Sequence, residues 1–311
     1  METSKQQFIL ADWKFANPKV DYAFKRIFGT EKYKDATINL LNSLLPHLHI
    51  VNVEYPNTEL IGDTSGSRKA YIDVLCTDDT GRQFIIEMQN AEQEHFFERA
   101  VFYSSRLISM SAPKGITWNY SLPPSYVIAF LNFPFSVVTG DAKDNKNYSK
   151  HYLTCESGYQ EKMPGSTEFI FFSLSNFNKK ESELETYPEK WVYLLKHSES
   201  FKEVPKTFKS DKTFDTFFQG AVRAGYSKEE EEQYVKAMMN QWDIENAKNF
   251  ACAKAEAKGR EEGLAEGRAE GEAKGKAEGK AEMARSMKAD GVPLEAIVKY
   301  SGLSEKEIKA L

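Results

Sequence analysis

Apolar residues first recur at helical spacing in Val20, Phe24, Ile27 and Phe28, behind Asn17-Pro18 and ahead of Gly29. Asn17 suits an N-cap, proline suits a first turn, and glycine suits a C-terminus, so this stretch predicts a helix. A second helix is expected over 35–45, carried by Ile38, Leu40, Leu41, Leu44 and Leu45 and stopped by Pro46. The pattern then changes to strands. Residues 50–55 are β-branched and end at Pro56. Residues 69–77 and 82–88 flank Asp78-Asp79-Thr80-Gly81, whose residue types favour a turn, so they predict a β-hairpin. A helix is expected over 92–110, a buried strand over 126–133 and a further strand over 167–173. Helices interleaved with strands mean an α/β or α+β mixed-sheet fold rather than a bundle.

From about residue 186 the pattern is helical, over 187–196, 211–223 and then from Lys228 behind a Ser227…Glu230 capping box. That last helix meets no stop before about Arg285. Within it Gly259, Gly263, Gly267, Gly271, Gly275 and Gly279 recur every fourth residue, and residues 251–281 carry seven basic and seven acidic side chains. Each glycine costs a helix about 1 kcal/mol relative to alanine. A four-residue step advances about 400°, so the stripe drifts about 40° per repeat around the helix. A semi-flexible helical spacer is slightly favoured over a dimerisation seam. The end regains apolar residues (Ile297, Val298, Leu303, Ile308, Leu311) and a Ser304…Glu307 capping box, which predicts a small helix-turn-helix-like tail. Its balanced charges make a protein-interaction or self-association module at least as good a reading as a DNA-reading one. The expected organisation is a core over 1–200, a helical extension over 201–250, the glycine-repeat linker over 251–283 and the tail over 284–311.

Composition narrows the function classes. The chain has 311 residues, 41% hydrophobic and 13% aromatic, enough for a real core, which excludes global disorder. A net charge of −5 argues against a strongly basic nucleic-acid coat, although a local basic groove fits inside a near-neutral total. Three scattered cysteines fit neither a disulfide framework nor a zinc site and suit a reducing compartment. Residues 1–11 lack the apolar stretch of a signal peptide, and 126–135 is too short to span a bilayer. The expectation is a soluble, cytoplasmic protein without membrane contact.

The chemistry concentrates in the hairpin. Alternation puts Tyr71, Asp73 and Leu75 on one strand face, and Ile85, Glu87 and Gln89 on one face of the next. If the loop is centred on Thr80, Asp73 lies opposite Glu87, with Cβ atoms about 4.5–5.5 Å apart. Two carboxylates that close in a half-buried setting mean a bound cation or a shared proton, whereas on an exposed hairpin edge both would merely be solvated, the reading that the hairpin taken alone favours. Mg²⁺ accepts one or two carboxylates and keeps waters for a phosphate. Gln89 can hold a water or a phosphate oxygen. Asp21 is a candidate third carboxylate, or simply an acid favoured at a helix N-terminus. Lys25, one turn on, could meet phosphate or merely pair with Asp21. Arg99, Tyr103 and Arg106 share one helical face that could touch DNA phosphates. The bland alternative is that Tyr103 packs in the core while Arg99 pairs with a carboxylate. The five histidines show no ligand spacing.

The spacing D-x13-E-x-Q within "YIDVLCTDDTGRQFIIEMQ" resembles motifs II and III of the PD-(D/E)xK nuclease superfamily. With "VDYAFKRIFG", "ERAVFYSSRL" and "GREEGLAEGRAEG", the set resembles the bacterial Rpn-type recombination-promoting nucleases, the PD-(D/E)xK nuclease family transposases. The resemblance covers most of the chain. It implies a mixed four-stranded sheet between helices and Mg²⁺- or Mn²⁺-dependent cleavage of DNA phosphodiesters, leaving 5′-phosphate and 3′-hydroxyl ends. It makes Asp73 and Glu87 metal ligands and matches Asp21 to the acidic residue of the first core helix. Arg99 and Tyr103 fall on the helix after the catalytic strand. Ile72 stands where the family pattern has proline, which costs little because that proline supplies no ligand; Gln89 stands where lysine is usual, which points to a weak nuclease. A homodimer joined through the glycine-repeat helix or the tail is the expected assembly. The rival expectation is a non-catalytic DNA-binding or self-assembling protein that keeps the nuclease fold.

Overall fold

The computed structural model describes residues 13–56, 72–92, 95–111 and 119–311. Residues 1–11, and Lys69 and Tyr71 at the start of the expected first hairpin strand, lie outside the described residues. The chain divides into two compact units, the first ending at Asn240 and the second running from Gln241 to Leu311. The longer helices are α1 (Asp21–Phe28), α2 (Lys34–Leu44), α3 (Phe96–Ser111), α4 (Tyr187–His197), α5 (Asp215–Ala221), α6 (Lys228–Ala289), α7 (Leu294–Ser301) and α8 (Glu305–Ala310).

The first unit is built on one mixed sheet with strands β1 (Val53–Glu54), β2 (Val74–Asp78), β3 (Gln83–Gln89), β4 (Ser125–Leu131), β5 (Ser149–Tyr152) and β6 (Thr167–Ser173), in the spatial order β1-β2-β3-β4-β6-β5. The hairpin pairs β2 and β3 antiparallel, β4 runs parallel to both β3 and β6, and β5 closes the sheet antiparallel to β6. The family pattern implies four strands; β1 and β5 extend that core to six.

Both sheet faces are buried, so the central strands read as continuous apolar runs. One face presents Val74, Cys76, Phe84, Ile86, Tyr126, Ile128 and Phe130 to Phe24, Ile27 and Phe28 of α1, Leu40 and Leu41 of α2, and Trp191 of α4. The other presents Leu75, Ile85, Val127, Ala129 and Leu131 to Phe96, Ala100 and Leu107 of α3. Phe208, Phe214, Phe217 and Ala221 belong to the first of these clusters. The segment just past residue 200 therefore shares the core of α1 and α2.

Local signals explain most boundaries. The hairpin turn is held by Asp78, whose Oδ1 accepts from Thr80 N, Thr80 Oγ1 and Arg82 N, while Gly81 sits at φ 86°. An L side chain would be strained there. The expected N-terminus of α1 is displaced. Asn17 Oδ1 accepts from Lys19 N to close a preceding turn, and the helix begins at Asp21. At the other end of α1, Gly29 N donates to Lys25 O at 2.7 Å. A Cβ on Gly29 would lie 2.8 Å from that carbonyl oxygen and 3.3 Å from Val74 Cγ2. The missing side chain is what lets α1 end directly against the first residue of β2. Gly29→Ala is therefore expected to lower stability by about 1–3 kcal/mol, the usual cost of overpacking. Urea melts of the two proteins check this, and an unchanged midpoint would refute it.

In the second unit, Ala284 of α6 packs with Ile297 of α7 and Ile308 of α8, and the Ser304…Glu307 capping box is formed. The glycine repeat lies within the unbroken α6, and a Cβ at any of its six glycines would meet nothing within 4 Å. Among the described residues no helix is long and apolar enough to cross a membrane.

Candidate active site

The register of the hairpin brings the two acids together. Val74 pairs with Ile86 and Leu75 with Ile85, so the next step outward sets Asp73 against Glu87. Asp73 lies just before β2, and its backbone N–H donates to Glu87 Oε1 at 3.3 Å. Its own Oδ2 accepts from Met88 N at 2.8 Å. Each carboxylate is thus oriented by the main chain of the opposite strand. Glu87 is 4% exposed, on the face covered by α3, and the Asp73 side chain is 17% exposed.

Two cations flank the pair. On α1, Lys25 Nζ is 2.7 Å from Asp21 Oδ1 and 3.9 Å from Asp73 Oδ1. On α3, Arg99 acts on Glu87, and its Nε donates to Tyr103 Oη at 2.8 Å with the guanidinium 5.0 Å from the ring centre. Tyr103 itself is partly buried against the α3-side core, so it both packs and holds Arg99. Gln89 is buried two residues beyond Glu87, and its Nε2 donates to Ala91 O at 3.0 Å.

These cations do not offset burial. Burial pushes the Asp73 carboxyl up to about 6, although the Met88 N–H and Lys25 pull it down. Burial, and next the facing Asp73 carboxylate, hold Glu87 well above the ordinary carboxylate range. Burial also works against the Lys25 charge, but Asp21 and then Asp73 and Glu87 more than compensate and keep its ammonium favoured.

An acid whose pKa is raised by folding binds more protons folded than unfolded, so its ionisation costs stability as pH rises. For Asp73 the loss develops between its ordinary value near 4 and about 6. Asp73→Asn keeps an oxygen for the Met88 N–H and removes the charge. In metal-free buffer its melting temperature should match wild type near pH 4 and exceed it increasingly up to pH 7. Thermal melts across that range check the pattern, and a constant offset would contradict it.

The donor set fits a small hard cation. It is all oxygen, doubly acidic, oriented by main-chain N–H groups, and short of positive charge. Among the described residues no cluster of three or more His, Cys, Asp or Glu is arranged to hold a metal. A pair suffices for a magnesium-like ion, which binds through one or two carboxylates and retains water elsewhere. Asp21 is ion-paired with Lys25 and also meets the Asp73 carboxyl directly by a side-chain hydrogen bond that helps to push it up.

The facing of Asp73 and Glu87 was readable from alternation and the turn. The Lys25–Asp73 contact was not, since it depends on α1 docking against β2. Nor was the main-chain clamp on each carboxylate, which no side-chain pattern signals. A second buried acid also escaped notice. Glu168 on β6 is 5% exposed, accepts a hydrogen bond from Lys162, and lies 2.8 Å from His151 Nε2 of β5. Burial opposes its charge, but Lys162 and then His151 hold its carboxyl below the usual range, as expected of a satisfied structural pair.

A family model described as PD-(D/E)XK nuclease family transposase matches residues 18–251. No curated protein and no solved structure gives a match.

Proposed function

This chain belongs to the PD-(D/E)XK nuclease family transposases, and we propose that it is a metal-dependent DNA endonuclease whose centre is the Asp73–Glu87 pair. One observation carries the reading: two buried carboxylates face each other across a hairpin, and burial holds both above the ordinary carboxylate range despite Lys25 and Arg99. A pair with no ligand would be a standing cost to folding, whereas a divalent ion removes it.

Asp73 and Glu87 would hold Mg²⁺ or Mn²⁺, with Asp21 the nearest additional acid. Such an ion, when bound, supplies Lewis-acid polarisation of a phosphodiester and offsets the charge that develops on it. The chain's own groups do the rest. The Met88 and Asp73 N–H groups fix the carboxylates so that they need not reorganise. Gln89 has no basic nitrogen, so its task is to orient a water or a phosphate oxygen. Arg99, braced by Tyr103, attracts the DNA backbone from the α3 side. Cutting both strands of a duplex takes two such sites, which suits a homodimer joined through the glycine-repeat helix or the tail. A role in recombination or mobile-element maintenance, in the cytoplasm, accompanies this reading.

The test is incubation of purified protein with supercoiled plasmid in Mg²⁺, Mn²⁺, Ca²⁺ or EDTA. Nicking or linearisation that needs Mg²⁺ or Mn²⁺ is the expected result. Retarded but intact plasmid under every condition would replace the nuclease with a DNA-binding protein that keeps the fold.

A further inference from the structure

Lys25 and Asp21 take different roles once their geometry is considered together. Asp21 is in the first turn of α1 and Lys25 lies one turn later on the same face, the favourable order for an i,i+4 pair. An exposed pair of that kind contributes only about 0.3–0.5 kcal/mol and needs no further purpose. This one differs in its third member. The same ammonium is 3.9 Å from Asp73, whose side chain is 17% exposed, while Lys25 itself is 44% exposed. The charge therefore sits at the border between the buried acids and solvent. Arg99, the other cation acting on the pair, is tied to Tyr103 on α3, the helix that covers the face bearing Glu87. Gly29 fixes the end of α1 against Val74, the residue after Asp73, so the position of Lys25 is set by the fold.

We infer that Lys25 is the cation that meets the scissile phosphate, and that Asp21 is a positioning residue holding Lys25 rather than a metal ligand. This rests on the nuclease reading of the same site and assigns its substrate-facing charge. Asp21 Oδ1 is 2.7 Å from Lys25, and the same carboxyl meets Asp73 by a side-chain hydrogen bond, so it holds the ammonium beside the acids. Held as it is, the ammonium stands beside the acids, where an approaching phosphodiester would otherwise meet uncompensated negative charge. Position 89 lies on the same strand face as Glu87 and carries no charge, so the cations beside the acids come from outside the sheet, Lys25 on α1 and Arg99 on α3.

The experiment measures duplex binding in Ca²⁺ over a salt series, Mn²⁺ affinity by calorimetry, and Mg²⁺-dependent cleavage. It compares wild type, Lys25→Met, Lys25→Arg, Asp21→Asn and Lys25→Met/Gln89→Lys. Both α1 side chains are substantially exposed, so these variants should fold. Lys25→Met should lower the slope of log affinity against log salt by about 0.9, one phosphate contact. It should slow cleavage about 100-fold, as loss of one transition-state charge contact does, without weakening Mn²⁺ binding. Lys25→Arg should keep the wild-type slope, and Gln89→Lys should restore cleavage about tenfold by returning a cation to the same face. Asp21→Asn should slow cleavage while leaving Mn²⁺ affinity nearly unchanged.

An unchanged salt slope in Lys25→Met overturns the role of Lys25, whatever the cleavage rates. A fall of more than about tenfold in Mn²⁺ affinity in Asp21→Asn makes Asp21 a ligand and overturns its positioning role. A wild type that binds DNA but never cuts it, with the slope difference intact, refutes the nuclease reading alone.

Discussion

Glu87→Gln should lower plasmid cleavage at least about a thousandfold, the scale of removing several kcal/mol of metal-assisted stabilisation. The same substitution should raise the melting temperature of the metal-free protein. The two effects share one cause. Glu87 is almost wholly buried, faces Asp73, and is held well above the usual carboxylate range by burial and by that neighbour. Its ionised form is costly to the fold and useful only to a cation. Glutamine retains an oxygen for the Asp73 N–H and relieves the repulsion. A purely structural acid behaves differently, because its replacement loses stability and activity together. Glu168, satisfied by Lys162 and His151, is the internal control, since Glu168→Gln should destabilise. Cleavage of a defined plasmid, read beside thermal melts of both variants, checks the pattern. A Glu87→Gln protein that is inactive because it melts earlier would make Glu87 part of the scaffold.

Arg26→Ala should cost about 3 kcal/mol of stability, near the lower end of what breaking a buried charge pair costs. Arg26 is on α1, but its side chain turns away from the active site and is 4% exposed. Its Nε donates to Glu230 at 2.9 Å, Nη1 to Gly220 O at 2.5 Å and Nη2 to Gly225 O at 3.3 Å. The guanidinium also lies over Tyr226, 4.0 Å from the ring centre, and near Tyr33. One side chain thus ties α1 to the end of α5, the following turn and the start of α6. Removing it leaves buried carbonyl oxygens without a donor. For a unit of this size the loss corresponds to a melting temperature about 6–12 °C lower. Arg26→Lys should recover only part of it, because an ammonium lacks the planar fork. Denaturant and thermal melts check the prediction. A loss below about 1 kcal/mol would mean that the network is incidental.

These two residues mark what a single sequence discloses. Glu87 was legible because everything that positions it is local. Gly81 and Asp78 set the turn, the turn sets the register, and period-two alternation sets the face. The strand over Thr167–Ser173 and the capping boxes at Ser227 and Ser304 are local in the same way. Arg26 was invisible because its ion-pair partner is 204 residues away, and a lone arginine inside an amphipathic helix reads as surface. Lys25 was half legible. Its spacing to Asp21 could be read directly, but its approach to Asp73 required α1 to dock on β2. β5 was missed because Ser149–Tyr152 is polar and mostly exposed and owes its strand conformation to pairing with β6. Asn17 was misplaced as a cap because its carboxamide closes a tighter turn one step earlier.

Anomalous scattering from crystals of this protein soaked in Mn²⁺ would locate the ion directly. The expected result is a peak between the carboxylates of Asp73 and Glu87 that disappears in Glu87→Gln. A Mn²⁺ peak elsewhere, or none at these two residues under conditions where the protein cuts DNA, would contradict it.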